Sequence, residues 1–283
     1  MSEGYSVPPN AHRFSHEAMA TVFEVAMLHD DARYAEQCAQ AAFAEVDRLE
    51  QELSRFLPNS DISRINNSEP GAAVIVGLDA FACLERCDRL TLDTNGAFDV
   101  TMGGMPQLLL YDVSYTVLRL SDSITIDLGG FGKGYAADRM AEILTEWGIP
   151  SALLHGGSSS VMAMDAPPGE RGWQVTLRDP LDSDRVIDRL SLQRRSISGS
   201  GLQKGSHIVD PRTDRPVEGR RAAWVITDDA ATGDGLSTAF MVMSADEIQD
   251  YCREDDSLRA IVLTEEPGGG SEILRYGDFS GPS

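Results

Sequence analysis

Two spacings in this chain could do chemistry. In TGDGLSTAF (232–240), Asp234 and Thr238 stand one helical turn apart, so a helix would put a carboxylate and a hydroxyl on one face. Two hard oxygens so placed suit Mg²⁺, with phosphate oxygens and waters completing its octahedron. Asp234 also stands where a helix N-cap could fall, which is a purely structural reading. In ITIDLGGFGKGYAADRM (124–140), a strand-like run ends at Asp127. Gly129, Gly130, Gly132 and Gly134 then surround Lys133 where a helix begins. Such a loop lets backbone N–H groups and a helix N-terminus approach a phosphate closely. The spacing fits neither a Walker loop nor GxGxxG, and a glycine-rich structural turn is the competing reading.

Two further residues carry weaker signals. His207 lies between the polar turns SGSG and DPRTDRP, at the start of a short strand, and reads either as a ligand-facing imidazole or as a satisfied structural histidine. Phe56, in SRFLPNSDISRIN, could offer a ring face or could end a helix as a core aromatic. There is no GxSxG, no HExxH and no hydrolase-type Ser/His/Asp spacing.

Composition sets the electrostatic frame. The 283 residues carry 24 Lys+Arg against 45 Asp+Glu, a formal net charge of −21. That excludes a generally basic surface for nucleic acid or anionic lipid, so a polyanionic ligand must be met locally. Only Lys133 and Lys204 are lysine among the cations. A position that stays Lys in so Arg-biased a chain points to a need for a compact ammonium. Cys83 and Cys87 have helical spacing, Cys38 and Cys252 are isolated, and all four read as buried thiols rather than a metal site. No run of about 18 apolar residues predicts a membrane helix. The start MSEGYSVPPNAHRF lacks a basic, then apolar, signal pattern, which gives cytoplasmic localisation as the expectation.

The elements that must position these groups follow from periodicity. Residues 1–18 read as a flexible leader and 19–283 as one domain. MATVFEVAML (19–28) alternates as a strand, while 30–56, 79–94 and 134–148 have helical apolar spacing. SYTVLRL and ITIDL read as short strands. SALLH, SVMAM, WQVTL, DRLSL and RSIS read as an antiparallel meander, and AAWVIT, RAIVLT and EILRYG as further strands around DGLSTAFMVMS and ADEIQDYCR, both helical. Strands and helices in blocks favour an α+β fold.

Taken in order, MATVFEV, NSDISRIN, GAFDVT, IDLGGFGKGYAAD, LLHGG, SGS, HIVDPRT-x-x-PV and GDGLSTAFMV resemble the ApbE-type FAD:protein FMN transferase family, from about Met19 to Ser244. The resemblance implies antiparallel sheets of a T-fold-like α+β architecture, flanked by helices around a flavin-binding cleft. It implies an Mg²⁺-dependent transfer of FMN from FAD to a Thr or Ser hydroxyl of an acceptor protein, with release of AMP. Loss of catalysis to leave an FAD-binding protein, or hydrolysis of FAD to FMN and AMP, are the alternatives. By the same resemblance Asp234, Thr238 and the carbonyl of Gly132 match the metal ligands, with Gly132 standing where Ala is more usual. Met19, Phe56, Asp127, Gly129, Gly130, Lys133, Ser198, Gly199 and His207 match positions lining the FAD cleft. His207 or Asp234 could act as base. Two departures stand out: a short segment after GAFDVT, and MAT where MGT is common. No DGx[ST]GA[ST] pattern occurs, so self-flavinylation is not expected.

Overall fold

The structure, a computed structural model, describes residues 5–101, 108–201, 208–266, 268 and 270–279. Helices form where apolar residues recur with a 3.6 period. In α1 (Ala32–Leu53) a buried stripe runs through Ala35, Ala39, Ala42, Val46 and Leu49, and Asp31 caps the start by accepting from the amides of Arg33 and Tyr34. Ser60 caps α2 (Asp61–Asn66). In α3 (Leu78–Asp93), Phe81, Leu84, Cys87 and Leu90 face inward. Then come α4 (Gly132–Glu146), α5 (Ala230–Val242) and α6 (Ala245–Glu254), the last opened by a Ser244/Glu247 capping box.

The strands in chain order are β1 (Tyr5–Ser6), β2 (His12–Ala18), β3 (Thr21–Met27), β4 (Ala73–Ile75), β5 (Leu108–Tyr111), β6 (Thr116–Arg119), β7 (Ala152–Gly156) and β8 (Ser160–Ala163). They continue as β9 (Trp173–Asp179), β10 (Asp182–Leu192), β11 (Arg195–Gly201), β12 (Val209–Asp210), β13 (Arg215–Pro216), β14 (Arg220–Thr227), β15 (Arg259–Glu265) and β16 (Ser271–Tyr276). Eight of them build one antiparallel sheet in the order β16-β15-β14-β11-β8-β7-β3-β2. The helices cover one face of it, over a core that includes Phe23, Val25, Leu154, Val225, Phe240 and Met140. The sheet β1-β9-β10 covers part of the other face, where Trp173, Val175, Leu190 and Leu192 meet Leu153, Ile197 and Leu263. The α+β architecture with antiparallel sheets flanked by helices is therefore the observed one. Among the described residues, no helix is long and apolar enough to cross a membrane.

Three expectations are corrected. Residues 12–18, expected in a leader, form β2 at the sheet edge, paired residue for residue with β3 from His12↔Met27 to Ala18↔Thr21. The expected meander is split: β9 and β10 leave the main sheet and fold across it, because Trp173, Val175 and Leu177 form a second buried face that the main sheet alone cannot cover on both sides. ITIDL is extended but joins no ladder. Its partners are the carbonyls of Thr101 and Val100, which accept from Thr125 and Asp127, and the Asn66 side-chain amide, which bonds both the N–H and the C=O of Ile126.

The turn between β2 and β3 holds Met19 and Ala20 of the MAT run, where the resemblance leads one to expect MGT. Met19 and Ala20 both have positive φ, 49° and 55°, the two-residue turn that suits the twist of a hairpin. Glycine relieves the second position, whereas Ala20 holds it against its own Cβ. All four cysteines are free and buried. Burial pushes the Cys83 and Cys87 thiols up, which matches the reading of inert core residues.

Candidate active site

The site is built where α5 crosses the start of α4. Asp234 is not a cap: Asp229 caps α5 by accepting from the Thr232 amide at 2.9 Å, and Asp234 lies a turn inside the helix. There it is 2% exposed. Its Oδ2 accepts from the Gly134 amide at 3.2 Å, in the first turn of α4, and lies 3.5 Å from Lys133 Nζ. A carboxylate facing a helix N-terminus is favoured by the oriented amides there. Both contacts are long and leave acceptor capacity on the carboxylate.

Thr238 lies one turn along the same face. Its Oγ1 bonds the Asp234 carbonyl oxygen at 3.3 Å and the Ser200 hydroxyl at 3.0 Å, and Ser200 also reaches Ser237 at 2.9 Å. The glycine loop lies against this hydroxyl, since a Cβ on Gly130 would sit 3.2 Å from Thr238 Oγ1. The sequence brings these oxygens together because α5 is packed between the sheet, α4 and α3, and Asp234 and Thr238, one turn apart, share the face that meets the loop.

The loop differs from the expected anion cradle. Four of its amides are spent inside the protein: Gly129 N–H donates to Asp127 Oδ1 at 2.9 Å, Phe131 and Gly132 to the Leu128 carbonyl at 3.0 and 2.7 Å, and Gly134 to Asp234. The Gly129 carbonyl accepts from Lys133 Nζ. The loop is thus braced internally through these four amides. Gly132 opens α4, and a Cβ there would meet only Leu128 Cβ at 3.9 Å, so the Ala more usual in the family would fit.

The other anticipated residues spread over the rim and the frame. Asp127 holds the loop and pairs with Arg55 Nε at 3.1 Å, while the Arg55 guanidinium lies 4.5 Å over the Phe56 ring. Phe56 is 76% exposed, so the core-aromatic reading is wrong and a free ring face is present. Arg55 was not anticipated from the sequence; its signal was adjacency to Phe56. Ser200, also missed, is the last residue of the quoted SGS. Ser198 is fully buried and donates to the Ala230 carbonyl at 3.3 Å; Gly199 N–H donates to the Ser159 carbonyl at 2.7 Å. These two hold α5 and β8 and do not meet the Asp234 side chain. Met19 sits in the β2–β3 turn with its amide donating to Glu50 Oε1 at 2.9 Å. His207, and the segment 102–107 that follows GAFDVT, lie outside the described residues.

Behind the site, Asp138 accepts from the amides of Ala230 and Ala231 at 2.7 and 2.9 Å, at the first turn of α5. Burial, with Asp229 beside it, pushes its carboxyl up to about 7. A separate cavity of about 600 Å³ is lined by Leu78, Phe81, Val113, Tyr115, Tyr135 and Arg139, none of them among the site residues above. Among the described residues no group of three or more His, Cys, Asp or Glu is placed to hold a metal. A cation here would rest on one acid, one alcohol and backbone oxygen. That donor set fits a hard ion: a nearly dry carboxylate, a hydroxyl one helical turn along and the glycine loop packed against that hydroxyl.

Comparison with known proteins agrees with the family resemblance read from the sequence. A family model described as "ApbE family" matches residues 19–114 and 107–262. The chain is 24% identical to the FAD:protein FMN transferase of Salmonella typhimurium, over 94% of this chain and 88% of that one. Among solved structures it resembles the flavinyl transferase ApbE of Pseudomonas stutzeri, with a TM-score of 0.82 and 22% identity over 94% of each chain. It also resembles the flavin transferase ApbE of Vibrio cholerae, with a TM-score of 0.81 and 19% identity over 95% of this chain and 98% of that one.

Proposed function

The chain belongs to the ApbE family, and from that premise we propose that it is an FAD:protein FMN transferase, moving the FMN half of FAD onto a Ser or Thr hydroxyl of an acceptor protein and releasing AMP. The observation that carries the reading is that Lys133 and the Gly134 amide meet the Asp234 carboxylate while Gly130 packs against Thr238 one helical turn along, in a chain of net charge −21. Mg²⁺, when bound, supplies neutralising charge for the diphosphate and for the departing AMP. Asp234, Thr238 and the Gly132 carbonyl would hold it.

The chain's own groups do the rest. Lys133 offers a mobile ammonium to a phosphate oxygen. Phe56 covers one face of the flavin, and Arg55 with Asp127 keeps the loop and that ring in register. Either Asp234, whose carboxylate keeps acceptor capacity, or His207 serves as base to the acceptor hydroxyl. Positioning and charge suffice for this chemistry, because the bond to be broken is a phosphoanhydride and the attacking oxygen comes from outside the chain.

The test is the fate of FAD incubated with the full chain and Mg²⁺, with and without an acceptor peptide. AMP together with peptide-bound FMN is expected. AMP with free FMN would indicate a pyrophosphatase, and intact bound FAD a binding protein; either would overturn the proposal.

A further inference from the structure

We propose that Lys133 is the resident counter-ion of Asp234, and that a divalent cation enters only by displacing its ammonium toward a phosphate-bearing ligand. The inference rests on the metal reading of Asp234 given above, and adds to it an order of events and an internal competitor.

The geometry separates a fixed partner from a movable one. The Asp234 side chain is 3% exposed and is anchored by the Gly134 amide, whereas that of Lys133 is 24% exposed and reaches the carboxylate from the solvent edge. Nζ stands 3.5 Å from Asp234 Oδ2 and donates to the Gly129 carbonyl. The ammonium is therefore held by two oxygens on the metal side of the loop, one anionic and one neutral. An ion bound to Asp234 would face this positive charge at close range, in a region largely shielded from water, where repulsion is poorly screened. Either the ammonium leaves or the ion binds weakly.

The side chain suits departure. Lysine carries a compact charge on a flexible stem, while an arginine fork would grip the same oxygens in two places and release them less readily. Only one other lysine occurs in the chain. What draws the ammonium away must be an anion, because an ammonium only donates and already holds the acceptors nearest it, the Gly129 carbonyl and Asp234. A diphosphate supplies that anion and also supplies oxygens to the entering ion. Metal and nucleotide should therefore bind with mutual reinforcement, and by linkage each tightens the other equally.

The experiment measures Mn²⁺ binding to the full chain by loss of the free-ion electron paramagnetic resonance signal. It is done without nucleotide and with ADP, whose own chelation is subtracted from a protein-free titration. Lys133→Met, and Lys133→Gln as a second neutral variant, should bind Mn²⁺ at least tenfold more tightly than the unmodified chain when no nucleotide is present. ADP should tighten Mn²⁺ binding at least tenfold in the unmodified chain and less than threefold in the variants. A double variant that adds Asp234→Asn should lose the site. Unchanged Mn²⁺ affinity in both Lys133 variants, with binding still abolished by Asp234→Asn, would overturn the counter-ion role and leave the metal reading standing. Binding indifferent to Asp234→Asn would overturn both.

Discussion

Gly134 and Ala230 meet backbone to backbone: a Cβ on Gly134 would lie 2.1 Å from the Ala230 carbonyl oxygen. This contact sets how closely α4 and α5 cross, and so how near the glycine loop comes to Asp234 and Thr238. Gly134→Ala should push the helices apart and cost about 3 kcal/mol or more, since the obstacle is main chain and cannot rotate away. Urea unfolding checks the stability, and a loss below about 1 kcal/mol would show that the crossing is soft.

Phe56 offers the opposite case. It is exposed, and its only described ring partner is the Arg55 guanidinium. Phe56→Ala should leave unfolding within about 0.5 kcal/mol of the parent. It should weaken FAD binding roughly fivefold, the equivalent of about 1 kcal/mol of ring stacking. Flavin fluorescence titration beside denaturant unfolding separates the two effects; equal FAD affinity would remove Phe56 from the site.

Ala20 holds a positive φ in the β2–β3 turn. Ala20→Gly should stabilise the protein by about 0.5–1 kcal/mol, because glycine takes that conformation without a steric cost. A thermal scan reads this directly, and a lower melting temperature would contradict it.

Asp138 gives a pH dependence with a definite sign. Its folded carboxyl sits at about 7, well above an unfolded aspartate, because of burial first and Asp229 second, with the Ala230 and Ala231 amides and Arg86 opposing. A raised acid contributes stability that is fully present below the unfolded value near 4 and is lost as pH rises through about 7. The whole swing is up to about 4 kcal/mol. Melting temperature should therefore fall between pH 5 and 8 more steeply in the parent than in Asp138→Asn. Parallel profiles would show that the two α5 amides hold the carboxylate charged throughout.

The legible part of this protein is what local pattern controls. The helical period of 30–56 and 79–94 gave α1 and α3, and the spacing of Asp234 and Thr238 put both on one helical turn. What escaped was settled by partners distant in sequence. ITIDL reads as a strand, yet its main-chain groups are satisfied by the side chain of Asn66, which no periodicity announces. Residues 12–18 read as a leader although β2 alternates half-buried and exposed positions, because His12, Phe14 and His16 supply no aliphatic stripe, and it is pairing with β3 that defines the strand. The loop's glycines suggested amides open to phosphate, whereas Asp127, Leu128 and Asp234 take up those of Gly129, Phe131, Gly132 and Gly134. The Arg55–Asp127 pair and the Ser200–Thr238 bond likewise join segments far apart in the chain.

On the proposed function the buried acid on α5 is where FAD's diphosphate is opened. AMP release from FAD by the Asp234→Ala chain, with Mg²⁺ and acceptor peptide in excess and bound flavin followed in the same samples, tests it most directly. The account predicts AMP release reduced at least a hundredfold, roughly the loss expected when charge stabilisation at a reacting centre is removed, with FAD still bound. AMP appearing at the parent rate would contradict it.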